Sequence, residues 1–263
     1  MTSRDINIAW SVIVLAAGTG ASVVSAQERV GFRVRMPAAV RAHEPVQITF
    51  SIESPTGEET SASLGWNRIG VFTFYVTRPD GTKLVARPTA PPLGGISAGS
   101  SVVVGVGSPY SGWILLNEWV DLSMPGKYSI TMTSDAKFKD VTSGMARAAD
   151  TAWTTTLVVT APSDTEIRAL CERLSQQALD SVRVPSEAGR KAAVSLANVR
   201  HRVVVPYLEA VARHGRWAWI AIPALGRLSE PAARNALEAL ARGDGEVGEL
   251  ATGELKRRSV IAK

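Results

Sequence analysis

The chain has 263 residues, of which 45% are hydrophobic and 20% charged, and a formal net charge of +5. That length suits about two globular domains, and the composition excludes a generally disordered protein. A single cysteine, Cys171, excludes an intramolecular disulfide, so stability has to come from packed cores.

Residues 1–26 read as a secretory signal peptide. Arg4 supplies a thin positive start, weakened by Asp5, and residues 6–17 form the apolar core. Val24-Ser25-Ala26 then places small residues at a cleavage site before Gln27. The apolar core is shorter than the roughly 20 residues a membrane-crossing helix needs. Gly18, Thr19, Gly20 and Ser22 dilute its extension, and no cysteine follows it for lipid attachment. A secreted or periplasmic destination is expected, with an uncleaved anchor as the alternative and no transmembrane span after cleavage.

Residues 27–161 change to a period of two. Phe32, Val34 and Met36 alternate with Arg33 and Arg35, and Val46, Ile48, Phe50 and Ile52 alternate with polar residues. Residues 71–77 are aromatic and β-branched; Tyr128, Ile130 and Met132 alternate again; residues 154–160 close the region. Strand side chains alternate faces, so these runs predict half-buried strands. Between them stand the turn signals Ser54-Pro55-Thr56-Gly57, Arg78-Pro79-Asp80-Gly81 and Met124-Pro125-Gly126. Short strands separated by such turns predict an antiparallel immunoglobulin-like β-sandwich.

The phrase from Asp121-Leu122 through Pro125-Gly126 and Tyr128 to Ile130 is similar to the late-strand corner of bacterial immunoglobulin-like domains. The resemblance implies that Pro125-Gly126 turns the chain into a strand and that the Tyr128 ring packs at the sandwich corner. The cysteine pair of antibody domains is absent. Residues 88–101 form a Pro/Gly/Ser-rich loop containing Gly95-Ile96-Ser97-Ala98-Gly99. That spelling matches a hydrolase nucleophile turn, but the required strand before the serine and helix after it are missing. Ser97 is therefore read as part of a flexible loop.

Residues 162–263 change period once more. Ser163-Asp164-Thr165-Glu166 spells a capping box, and Ile167, Leu170, Cys171, Leu174 and Ala178 follow at helical spacing. Cys171 on that stripe behaves as a small buried hydrophobe. Further helices are expected over 187–198, 203–213, 218–228, 230–242 and 246–257. Pro223 falls inside one of them, where it predicts a kink.

The stretch from Ser195 to Arg213 is repeated from Ala224 to Arg242. Leu196 matches Leu225, Val199 matches Leu228, Leu208 matches Leu237, and Glu209-Ala210 matches Glu238-Ala239. A repeated unit of two short helices must stack on a neighbour to bury its apolar face. Residues 185–258 thus resemble HEAT-like repeats of the short bacterial type, carried by Pro206-Tyr207-Leu208-Glu209-Ala210-Val211-Ala212 and Asn235-Ala236-Leu237-Glu238-Ala239-Leu240-Ala241. The resemblance implies a short α-helical solenoid used for protein contact and seldom catalytic. With about two full units, the array is near the minimum for a self-sufficient stack and is expected to lean on the sandwich.

The function expected is that of an exported, non-catalytic interaction or scaffold protein. Roughly +4 of the net charge falls after Ala161 and roughly +1 between Gln27 and Ala161. Arg202, Arg213, Arg216, Trp217, Arg234 and Arg242 are the candidate partner-binding residues, because arginine and tryptophan dominate binding hot spots. Trp217 and Trp219 could instead fill an internal interface. The basic excess suits an acidic protein partner. It does not suit nucleic acid, since the longest basic run is Lys256-Arg257-Arg258 and no nucleic-acid motif is present. His201 and His214 read as loop or cap residues; no metal site, cofactor or small-molecule ligand is expected. Two alternatives remain. One is an accessory or inhibitory module contacting an envelope enzyme or protease through loops 88–101 or 108–113. The other is an undetected hydrolase or a carbohydrate-binding module, in which Trp113 and Trp119, if exposed together, would stack on sugars.

Overall fold

The computed structural model describes residues 29–54, 58–64, 71–86, 101–105, 107–149, 151–182 and 186–261. The signal-peptide segment and Ser97 lie outside the described residues, as do Pro55, Thr56 and Gly57 of the first turn signal.

The strands are β1 (Gly31–Arg35), β2 (Ala39–Arg41), β3 (Gln47–Glu53), β4 (Thr60–Ser63), β5 (Phe72–Thr77), β6 (Lys83–Ala86), β7 (Ser101–Val104), β8 (Tyr110–Leu115), β9 (Gly126–Ser134), β10 (Lys137–Asp140), β11 (Ala146–Arg147) and β12 (Ala152–Thr160). They form a five-stranded sheet in the order β2-β12-β9-β5-β6, a three-stranded sheet β1-β3-β8, and a four-stranded sheet β11-β10-β4-β7. All pairings are antiparallel except β2 with β12, where Val40 lies opposite Val159. The N-terminal segment therefore contributes β1 to one sheet and β2 to the other. With β3 and β8 facing β12, β9 and β5, this is an immunoglobulin-like sandwich.

Period two explains the core. Ile48, Phe50 and Ile52 of β3 meet Phe72, Phe74 and Val76 of β5 and Tyr128, Ile130 and Met132 of β9, all buried in one cluster. Ring centroids stand 5.8 Å apart for Phe32 and Phe50, and 5.2 Å for Phe50 and Phe72, distances at which aromatic pairs attract. Tyr128 buries its ring completely and donates its hydroxyl to the Met124 carbonyl at 2.9 Å. This pins the corner that leads into β9, as the sequence phrase around Pro125-Gly126 implies. Tyr128→Phe keeps the packing and strands one carbonyl, so a loss of about 1 kcal/mol is expected by urea denaturation. A loss within measurement error would show the corner to be held by packing alone.

The helices are α1 (Asp164–Asp180), α2 (Glu187–Ala197), α3 (Val205–Arg213), α4 (Ala218–Arg227), α5 (Pro231–Ala241) and α6 (Gly245–Ile261), with a 3-10 turn at Arg202–Val204 before α3. Ser163 and Glu166 form the capping box at α1: the Glu166 amide donates to Ser163 Oγ at 3.2 Å, and the Ser163 amide donates to Glu166 Oε2 at 3.0 Å. The Ser163 amide, followed by its hydroxyl, holds the Glu166 carboxyl below its ordinary value. Helix α4 runs through Pro223.

Helix α1 packs on α2, α3 on α4 and α5 on α6; α1, α3 and α5 form one row, and α2, α4 and α6 a second. The repeated residues occupy matching places. Leu196 and Leu225, Val199 and Leu228, and Leu208 and Leu237 are all buried in the helical core. Cys171 is buried there too, and burial pushes its thiol up to about 12, which keeps it unreactive at neutral pH.

One stretch departs from expectation. Residues 108–113 were expected to be a loop available to a partner, yet Tyr110–Leu115 is strand β8, paired along its length with β3. Trp113 and Leu115 of β8 belong to the helical core, while Ile114 belongs to the sandwich core. Both faces of the strand are covered, so it shows no polar alternation.

Candidate functional site

Three features define the candidate surface: the seam between the sandwich and the helices, the arginines along the rows, and a cleft at the helix ends.

The seam is built from β8 and the segment after β2. The Trp113 ring is 7% exposed, and its Nε1–H donates to Glu187 Oε1 at 2.7 Å. The Arg190 guanidinium and Lys191 ammonium lie 5.3 and 5.1 Å from the ring centroid, within cation–π range. Burial pushes Glu187 upward, but the hydrogen bonds from Arg190 and Trp113 outweigh it and hold its carboxyl below its ordinary value. Arg41 Nε meets Glu166 Oε1 at 2.9 Å across the same seam. Asn117, buried in the short 3-10 helix after β8, accepts from the Val46 amide at 2.6 Å and donates to the Glu44 carbonyl at 3.1 Å. These bonds fix the loop that carries His43.

His43 was not legible as a site residue in the sequence. It holds a φ of 65° and places its ring 5.3 Å from the ring of His201, centroid to centroid. His201 caps the 3-10 turn: its Nδ1 accepts from the Val203 amide at 3.4 Å, and its Nε2 lies 3.6 Å from Asp164 Oδ1. His43 lines a small cavity with Asn117, Asp121, Asn198 and Arg200.

The six candidate residues separate. Arg202 pairs with Asp164 at 3.3 Å, at the start of α1. Arg213 pairs with Glu209 on the same helix, and Arg234 pairs with Glu238 at 2.8 Å. Exposed pairs of this kind contribute about 0–1 kcal/mol, and each one cancels the field its arginine projects. Among the described residues Arg216 and Arg242 have no carboxylate within ion-pair distance. Trp217 is 6% exposed and donates its Nε1–H to the Ala178 carbonyl at 3.1 Å, so it joins α4 to α1 inside the core. The Arg216 guanidinium lies 5.8 Å from the Trp217 ring centroid.

Arg216 and Trp217 do come together, at an open cleft of about 590 Å³ lined also by Val182, His214, Trp219 and Glu246. Trp219, two positions after Trp217, is 41% exposed. Arg202 lies elsewhere: Asp164 and Val182 bracket α1, and a helix of that span is roughly 25 Å long. Trp113 and Trp119 do not form an exposed pair. Trp119 is 6% exposed and packs edge-on to Phe74 at 5.5 Å in the sandwich core, while Trp113 is in the helical one. A sugar would find no platform on them. Among the described residues no three His, Cys, Asp or Glu side chains stand close enough to hold a metal ion, and no helix is long and apolar enough to cross a membrane.

No protein-family model matches the chain, and no curated protein does. Solved structures similar to it include the CARDB domain of the PF1109 protein from Pyrococcus furiosus, at 11% identity and a TM-score of 0.29. That match covers 51% of this chain and 96% of the domain. A cohesin module of a Clostridium perfringens family 33 glycoside hydrolase matches at 11% identity and a TM-score of 0.30, covering 51% of this chain and 99% of the module. The native conformation of E. coli alpha-2-macroglobulin matches at 10% identity and a TM-score of 0.30, over 87% of this chain and 19% of that one. Likenesses this distant assign no family to the chain.

Proposed function

We propose that the chain is an exported, non-catalytic interaction protein whose helical rows are a short HEAT-like solenoid seated on the sandwich, and whose partner binds at the helix ends. The observation that carries this reading is the exposed Trp219 beside Arg216, at an open cleft. A large exposed aromatic ring next to a cation with no carboxylate pair is the composition of a binding hot spot. The two rows of paired helices, and the like burial of residues repeated between α2-α3 and α4-α5, support the repeat reading. Export rests on the pattern of residues 1–26. Self-paired Arg202, Arg213 and Arg234 are spectators in this account, and Arg216 and Arg242 supply the attraction for an acidic protein.

The test is affinity capture from envelope extract with the native chain and with Arg216→Ala/Trp219→Ala, at low and high salt, read by mass spectrometry. One protein retained by the native chain, weakened by salt and lost with the double variant, is the expected result. Equal retention by both chains, or indifference to salt, would place the contact elsewhere or remove its charge component.

A further inference from the structure

We propose that His43 and His201 form a pH-sensitive latch between the sandwich and the helical rows, closed at neutral pH and loosened by acid. The two rings come from opposite sides of the seam and face each other at 5.3 Å. Among the described residues the buried Nδ1 of His43 has no hydrogen-bond partner, so a proton placed there meets no acceptor among them. The Nδ1 of His201 accepts the Val203 amide, so a proton there abolishes the cap of the turn that leads into α3. Both protons together would set two like charges face to face.

The surrounding charges are mixed in sign. On the sandwich side stand Asp121, Arg41 and Glu44; on the helical side stand Arg200, Asp164, Arg202 and Glu166. Arg41 engages Glu166, and Arg202 shares Asp164 with His201. Arg200 lines the cavity of His43 and adds a further positive charge. Asp121 attracts a proton to His43, but burial first and His201 second outweigh it and hold the imidazole below its ordinary value of 6.5. A depressed histidine stabilises the closed seam fully above its free-chain value, and that stability fades as the pH falls through its closed-state value. The latch therefore opens on acidification below about 6.5.

The chain holds three histidines, and His214, exposed at the end of α3, is an internal control. Hydrogen exchange of the full chain at pH 7.5 and 5.5, corrected for intrinsic rates, reads the seam directly. Protection in β8 and in residues 202–208 should fall several-fold on acidification. The centre of β9 should not change. H43N/H201N, in which asparagine tolerates the positive φ and retains a cap acceptor, should remove the pH dependence; H214Q should keep it. Proton NMR titration of the unmodified chain provides a reading that no variant can confound: His43 should titrate below the ordinary histidine value of 6.5. Seam protection that is equal at the two pH values, a double variant that keeps the native dependence, or a His43 that titrates at or above 6.5 would each overturn the latch.

Discussion

Trp113→Ala is expected to destabilise the chain by roughly 3–5 kcal/mol, the range for truncating a buried tryptophan. The ring is a sandwich residue in sequence and a helical-core residue in space. It belongs to one buried core with Ile167, Cys171 and Leu196, and its indole N–H satisfies Glu187. Alanine leaves a void on the helical face of β8 while Ile114 still packs in the sandwich core. The loss should therefore fall on the helices. Circular dichroism at helical wavelengths should melt ahead of the sandwich, whereas the native chain should melt as one unit. Trp113→Phe retains most of the apolar contact and removes only the donor, so a smaller cost of about 1–2 kcal/mol is expected. Glu187 is held below its ordinary value, so its contribution is present above pH 4.5 and fades as the pH falls below it. If Trp113→Ala cost no more than Trp219→Ala on the exposed surface, within about 0.5 kcal/mol, β8 would not be what seats the helices.

The legible parts of this fold are those with one wet face. Strands β3, β5 and β9 expose one side to solvent and bury the other, so their apolar residues recur every second position. Helix α1 announced itself through Ser163 and Glu166 because capping is local chemistry between residues three apart. The apolar spacing of α4 and α5 was readable because Leu225 and Leu237, like Leu196 and Leu208, are buried in one core. Strand β8 failed the test of alternation because both its faces are dry. Strand β4 failed it because Thr60 and Ala62 are buried with almost no apolar side chain to mark them. The candidate site divides along the same line. Arginine and tryptophan mark contact chemistry, but composition does not distinguish a Trp217 that donates to Ala178 inside the core from a Trp219 open to solvent. Nor does it reveal that Arg202, Arg213 and Arg234 are already paired. His43 carried no signal, since a histidine between Ala42 and Glu44 acquires meaning only when the fold brings His201 to it.

Gly126→Ala is expected to cost roughly 3–5 kcal/mol, combining backbone strain with overpacking against a rigid neighbour. Gly126 opens β9 with a φ of +136°, a conformation that side chains other than glycine's rarely adopt. A Cβ there would stand 2.5 Å from Pro79 Cβ and 2.7 Å from Pro79 Cγ. Pro79 cannot swing aside. Its ring is fixed in the turn after β5, where the Arg78 amide donates to the Thr82 carbonyl at 2.9 Å and the Thr82 amide donates to Asp80 Oδ1 at 2.9 Å. The strain therefore passes into the β5-β6 hairpin and into the pairing of Gly126 with Val159 on β12. Gly81 separates the two causes. It also has a positive φ, of 84°, but a Cβ there would meet nothing within 4 Å. Gly81→Ala should thus cost only the backbone share, about 1–2 kcal/mol. Urea denaturation of the two variants beside the native chain makes the comparison. Equal losses would mean that the close approach of Pro79 to Gly126 relaxes freely, and that the corner leading into β9 owes its shape to backbone preference rather than to contact with the hairpin.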